Sequence, residues 1–139
     1  MALALLNATT NARIAAHVDV AQTRRARRDG LLGRCYMDRG TALVLVRTWA
    51  VHTVFMKFAI DLIFVDRDGR AIRIVQALRP WRAAISIRAH AVIELPAGAL
   101  LNGAVRLGER VCVVGADAPH RGRARTEHAA AGGWLEVQT

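Results

Sequence analysis

Three groups able to move or hold protons and ions fall within ten positions of the stretch HTVFMKFAIDLIFVDRDGR: His52, the chain's only lysine Lys57, and Asp61, with Met56 beside the lysine. An imidazole can act as base or ligand, an ammonium can hold an anion, and a carboxylate can orient either of them or bind a metal. Glu94, in VIELPAG, would supply a second acid. One reading is therefore a small-molecule hydrolase or metal-assisted enzyme using His52, Asp61 and Glu94. The competing reading is structural. Asp61 is embedded in apolar residues, and a buried carboxylate is costly unless it is hydrogen-bonded and paired. On that reading Asp61 accepts hydrogen bonds from loop backbone and pairs with Arg73 or Lys57, and Glu94 is a strand-end glutamate bonded to an arginine. The structural reading is preferred for both.

Trp81 stands between Arg79 and Arg82 in LRPWR. Exposed Trp and Arg are the side chains that most often anchor a partner, although an indole can equally lie over one end of the fold with an arginine on its face. The remaining reactive types carry little. Cys35 and Cys112 are far apart, without a C-x-x-C pair or a second ligand at metal spacing, so no metal is expected. Cys112, inside RVCVV, reads as a small core hydrophobe. Ser86, the only serine, lacks the G-x-S-x-G surroundings of a nucleophile. LPAGALLNG has too few glycines for a phosphate cradle, and no cofactor is implied.

Short strands must position these residues. ALALL, the turn residues NATTN and RIAAHVDVA predict a first hairpin. Thr23 is a good N-cap for a short basic helix through RRARRDG that ends at Gly30 or Gly33. TALVLVRTW predicts a strand with apolar residues on both faces. VDRDG supplies the type I turn with a left-handed glycine that closes tight hairpins. With Asp66 opposite Arg70, Phe64 should face Ile72, Leu62 should face Ile74, and Asp61 should lie opposite Val75 and diagonal to Arg73. Apolar residues on both faces of this hairpin require both faces to be covered. A strand ends at Pro80, another runs through AHAVIELP, one helical turn is expected in ALLNG, and a last strand follows the turn at Gly108.

The fold class expected is mainly β: a small closed or partly open β-barrel or sandwich with one or two short helices, with α+β as the alternative. Residues 1–114 form the single domain and 115–139 a flexible tail. At 139 residues and 53% hydrophobic composition the chain can bury a core without metal or disulfide help. No apolar run reaches the roughly 20 residues of a membrane helix. The net charge of +9 and pI of about 11.4 would favour nucleic acid. The basic excess is, however, almost all arginine in an alanine-rich chain, and the runs at Arg24–Arg28 and Arg121–Arg125 lack the interleaved aromatic residues of single-strand binders. Nucleic acid is not the expected partner.

GLLGR, HTVFMKFAIDLIFVDRDG, LRPW and VIELPAG, in this order and spacing, resemble the blocks of the prokaryotic family known as domain of unknown function 192, over roughly Leu5 to Val114. The resemblance implies a small, mainly β, barrel-like fold with short helices and brings no established activity with it. Many relatives begin with an export signal or lipoprotein anchor. The opening MALALL is short and has no basic stretch before it, so a cytoplasmic location is expected. The resulting expectation is a non-enzymatic binding or assembly module. Its loops HTVFMKF, LRPW and LPAG would meet a protein or small ligand at one end of the barrel, with His52, Met56, Lys57, Asp61, Arg79, Trp81 and Glu94 as candidate binding residues.

Overall fold

The computed structural model describes residues 2–23, 25–26 and 31–116. The alternating and doubly apolar segments form β1 (Leu3–Asn7), β2 (Arg13–Ala15), β3 (His17–Ala21), β4 (Thr41–Val46), β5 (Ala50–His52), β6 (Ile60–Val65), β7 (Ala71–Leu78), β8 (Ala83–Ile85), β9 (Ala91–Pro96) and β10 (Val111–Gly115). They build a five-stranded sheet in the order β3-β4-β9-β6-β7, a three-stranded sheet β10-β1-β2, and a two-stranded ladder β5-β8. The expected mainly β class holds, but no sheet closes on itself, so the closed-barrel form of that expectation gives way to an open, layered one. The reason lies at the corners. The Ala16 N–H turns aside to the Gly40 carbonyl, sending β3 into a different sheet from β2, and the edge strand β7 meets the segment before β10 through an isolated bridge between Arg70 and Arg110 and a bond from the Gly108 amide to the Ala71 carbonyl, not through a strand ladder.

The central sheet is covered on both faces, as its sequence requires. On one side Ile63, Ile93 and Leu95 pack against Leu5, Val111 and Val113 of the three-stranded sheet. On the other, Leu45, Leu62, Phe64 and Val92 pack against Leu31, Met56, Val51 and Ala84, the last two from the β5-β8 ladder. All six residues of β6 are buried.

The VDRDG turn forms as expected. The Asp66 N–H donates to the Arg70 carbonyl, the Gly69 N–H to the Asp66 carbonyl, and Gly69 has φ 80°. Val65 faces Ala71, the expected register, but a bulge beside Phe64 then shifts the ladder by one residue. Ile63, not Leu62, faces Ile74, so Leu62 and Ile74 lie on opposite faces of the sheet and the predicted register is wrong beyond the turn. The bulge lets Ile72 and Val75 join the Leu62 side while Ile74 packs on the other. A second bulge at Asp61 places Ile60 opposite Leu78, so Asp61 has no partner in Val75.

The first hairpin is β1-β2, whose turn is held by the buried Asn7. Its side-chain oxygen accepts from the Thr9 and Thr10 amides, and its nitrogen donates to the Ala104 carbonyl and to Glu109. The Thr23 hydroxyl accepts from the Ala26 amide at 3.0 Å, the expected N-cap bond. The rest of that helix, at Arg24 and residues 27–30, lies outside the described residues. Leu101–Gly103 makes one 3-10 turn. β10 runs one residue past the expected domain boundary, with Gly115 opposite Leu3, and the Ala116 amide donates to Ala2. The rest of the expected tail, 117–139, lies outside the described residues. No helix among the described residues is long and apolar enough to cross a membrane.

Candidate functional site

Thr53 joins the two loops that carry most of the candidate binding residues. It follows β5 and is fully buried. Its hydroxyl donates to the Arg79 carbonyl at 2.6 Å and accepts from the Arg82 amide at 2.9 Å, while its own amide donates to the Arg82 carbonyl. Its carbonyl accepts from the amides of Met56 and Trp81. These bonds set the residue 53–58 loop on the residue 79–82 turn. The composition of HTVFMKF had not singled Thr53 out, because a threonine in a β-rich segment looks like any other strand residue.

On this platform stand Phe55 and Trp81, 71% and 58% exposed, their rings edge to face with centroids 4.9 Å apart. Both residues are left-handed, with φ of 64° and 63°, a conformation uncommon for any residue other than glycine and strained for bulky ones. Trp81 is thus exposed and not buried over the core, and among the described residues no arginine stacks on its ring. The cation-aromatic contact of this region belongs to Arg73, over the buried Phe64 ring. Behind the pair, the β5-β8 ladder turns Val51 and Ala84 inward and leaves Ala50, His52, Ala83 and Ile85 exposed on its outer face. At its far end the Ser86 amide bonds the Trp49 carbonyl, and Trp49 and Ile87 are also exposed. The result is an apolar strip from Phe55 and Trp81, along the ladder, to Trp49.

The two segments that carry the strip hold charge of one sign. Segments 47–60 and 78–93 contain no Asp or Glu, while Arg47, Lys57, Arg79, Arg82 and Arg88 are all exposed. Arg73, also exposed, donates to the Ile85 carbonyl. His52 sits at the end of β5 and accepts from the Val54 amide at 3.3 Å. Met56 is turned into the core.

The two candidate acids lie elsewhere, on opposite faces of the central sheet. Asp61 is fully buried on the side of Leu95 and Ile63, and accepts from the amides of Ala77 (2.8 Å), Gly98 (3.1 Å) and Leu100 (3.0 Å). It thereby closes the bulge of β7, where Ala77 has φ 50°, and fastens the LPAG turn. The backbone bonds expected of it are present, whereas the expected pairing with Arg73 or Lys57 is absent among the described residues. LPAG is thus tied to β7, also through Gln76 to the Leu100 carbonyl, rather than to the two loops joined by Thr53. Glu94 occupies the middle of β9, not a strand end. Burial pushes its carboxyl up to about 7, against the lowering influence of Arg34, and its Oε2 has no hydrogen-bond partner. His52, Asp61 and Glu94 do not converge. Cys112 is half-buried rather than fully in the core, and burial pushes its thiol up.

No functionally curated protein matches the chain. Two solved structures share its fold. One is a protein of unknown function from Novosphingobium aromaticivorans DSM 12444, with 19% identity over 80% of this chain and 83% of that one and a TM-score of 0.69. The other is a candidate transcription regulator from Sinorhizobium meliloti 1021, with 20% identity over 78% and 89% and a TM-score of 0.64. Residues 6–113 match the family DUF192, described as "Uncharacterized ACR". The chain belongs to the DUF192 family.

Proposed function

We propose that this protein is a non-catalytic binding module whose working surface is the apolar strip of the β5-β8 ladder, and that its partner is a protein presenting an acidic surface. The observation that carries the reading is the Phe55–Trp81 pair. Two bulky residues in left-handed conformations cost on the order of 1–3 kcal/mol each, and here their rings face water rather than the core. Folding gains little from holding them so, whereas binding gains two rigid aromatic anchors with no ordering to be done. The basic side chains of these two segments select the sign of the partner and would steer its approach. Positive charge on the same surface also opposes pairing with a second copy of itself.

The test places a photo-crosslinking phenylalanine analogue at position 55 in cells, with the same group at Asp68, at the tip of the β6-β7 turn, as control. Expected is a discrete adduct with an acidic protein from position 55 alone, lost when Arg79 and Arg82 are both changed to Glu. The purified partner should then bind the wild type and lose at least tenfold in affinity with Phe55→Ser. Adducts only with lipid would assign the strip to a membrane surface. Equal adducts from both positions would overturn the assignment of the site.

A further inference from the structure

Antiparallel strands alternate between residue pairs whose backbone groups bond across the ladder and pairs whose groups point away from it. In β5-β8 both ends fix the alternation. The Ser86 amide bonds the Trp49 carbonyl at one end, and the Thr53 amide bonds the Arg82 carbonyl at the other. With Ala50 opposite Ile85, Val51 opposite Ala84 and His52 opposite Ala83, it is Val51 and Ala84 that bond each other across the ladder. Ala50 and His52 therefore aim their amides and carbonyls outward along the free side of β5, and Ala83 and Ile85 aim theirs outward along the free side of β8.

The two sides differ. On the β8 side the Ile85 carbonyl accepts from the Arg73 guanidinium, which ties that edge to β7. On the β5 side the amides and carbonyls of Ala50 and His52 have no hydrogen-bond partner among the described residues. The open stretch has definite ends: the Thr48 amide turns to the His90 carbonyl at 3.2 Å, and the Val54 amide to the His52 ring at 3.3 Å. An open edge is a template for another strand, and proteins guard such edges with charged side chains, proline or a bulge. Trp49, Ala50, Val51 and His52 include no proline and no Lys, Arg, Asp or Glu, and the register with β8 is unbroken.

The surroundings specify the strand that fits. Residues directly opposite on paired strands share a face, so partner residues bonded to Ala50 and His52 lay their side chains on the exposed outer face of the ladder, where apolar groups continue the strip. Arg47 precedes the open edge and Lys57 follows it, both exposed, with no Asp or Glu between them, so acids at the two ends of the incoming segment meet opposite charge. We propose that an extended acidic segment of the partner protein adds to β5 as a third strand of the ladder, its backbone bonding the outward amides and carbonyls of Ala50 and His52. Strand addition of this kind takes affinity from main-chain bonds and specificity from alternate side chains. The inference rests on the aromatic strip being the binding surface and names how its partner is held.

Selection of random linear peptides on the immobilised full-length protein tests it, the selected peptides then being measured in solution by fluorescence anisotropy. Expected are peptides with apolar residues at alternate positions and acids toward their ends, whose affinity falls roughly tenfold or more with Ala50→Pro. Proline there deletes one outward amide and blocks a neighbouring strand while leaving the bonds to β8 in place. N-methylation of the peptide provides a second measure that leaves the protein intact: methyl groups on one set of alternate residues should abolish binding, and on the other set should be tolerated. Affinity unchanged by Ala50→Pro in the folded protein, or N-methylation without that alternation, would overturn strand addition; loss of binding with Phe55→Ser in the same samples would still leave the aromatic strip its role. Loss with Ala50→Pro but not with Phe55→Ser would keep the edge and remove the strip. Selection of basic or neutral peptides, or of none, would overturn the acidic strand, and sedimentation of the wild type as a dimer that Ala50→Pro splits would give the edge to a second copy instead.

Discussion

Burial raises the Glu94 carboxyl from its ordinary 4.5 to about 7, so folding favours its protonated form. The stabilising contribution is complete below about 4.5 and is lost as pH rises toward 7 and past it. The shift corresponds to about 3 kcal/mol, an order-of-magnitude figure. Glu94→Gln should therefore raise the thermal midpoint at pH 8 and leave it nearly unchanged at pH 4, measured by circular dichroism in the two buffers. Asp61 predicts the reverse sense of substitution. Its oxygens accept from three amides, and Asn would present an N–H to at least one of them, so Asp61→Asn should lower stability by about 1–3 kcal/mol without altering binding at the aromatic strip beyond the loss of folded protein. A midpoint unchanged or raised would mean that Asp61 is held at the expense of stability, as functional carboxylates are. That Asp61 bonds backbone was legible from its apolar setting, because a carboxylate there must find donors. Which donors they are was not, since two of the three lie nearly forty residues away in the LPAG turn.

Loop geometry decides whether the aromatic pair stands. Thr53→Val keeps the volume of the side chain but removes the hydroxyl that bonds both Arg79 and Arg82. It leaves a partly buried carbonyl and a partly buried amide short of a partner, and should cost about 1–3 kcal/mol. The telling readout is local: 19F NMR of fluorotryptophan-labelled protein should show the Trp81 resonance broadened or shifted as the ring leaves its edge-to-face contact with Phe55. An unchanged resonance would mean that the loops hold without Thr53. Phe55→Gly and Trp81→Gly exchange the lost ring contact, on the order of 0.5–1.5 kcal/mol, for relief of left-handed strain, so each should leave the midpoint within a few degrees while removing an anchor. The β6-β7 hairpin shows what a sequence can and cannot say about elements. VDRDG specified the turn and the first pair, because turn chemistry is local. The bulge beside Phe64 answers to the two layers that β7 must feed, Ile74 to one and Ile72 and Val75 to the other, and alternation within the hairpin does not reveal that demand. The short ladder β5-β8 was likewise invisible: three residues a side, flanked by Trp49 and Pro80, make too brief a pattern to read.

The charge of the whole molecule, +9, gives any polyanion some attraction, and counterion release makes that attraction strongly dependent on salt. Fluorescence anisotropy with duplex DNA and single-stranded RNA should show only weak, sequence-independent binding that vanishes near physiological salt. Submicromolar binding that survives added salt would mark a nucleic-acid site instead. Coverage of both faces of the central sheet followed from composition, whereas the openness of the sheets at their corners depends on where Ala16 and Ala71 send their amides, to Gly40 and Glu109, and those partners are distant in sequence. One of the distant pairings also orders events in time. β1 and β10 pair from Leu3 with Gly115 to Asn7 with Val111, so the three-stranded layer needs a loop of about a hundred residues to close, whereas β6 and β7 meet across a turn. Loop closure of that length is slow relative to a hairpin. Refolding should therefore pass through a species with the β6-β7 hairpin protected and the Ile63, Ile93 and Leu95 face still uncovered, able to bind a hydrophobic dye until β10 zips onto β1. On the ribosome the same species would persist until β10 emerges, so the last strand, and not the hairpin, sets how long the nascent chain remains prone to aggregation.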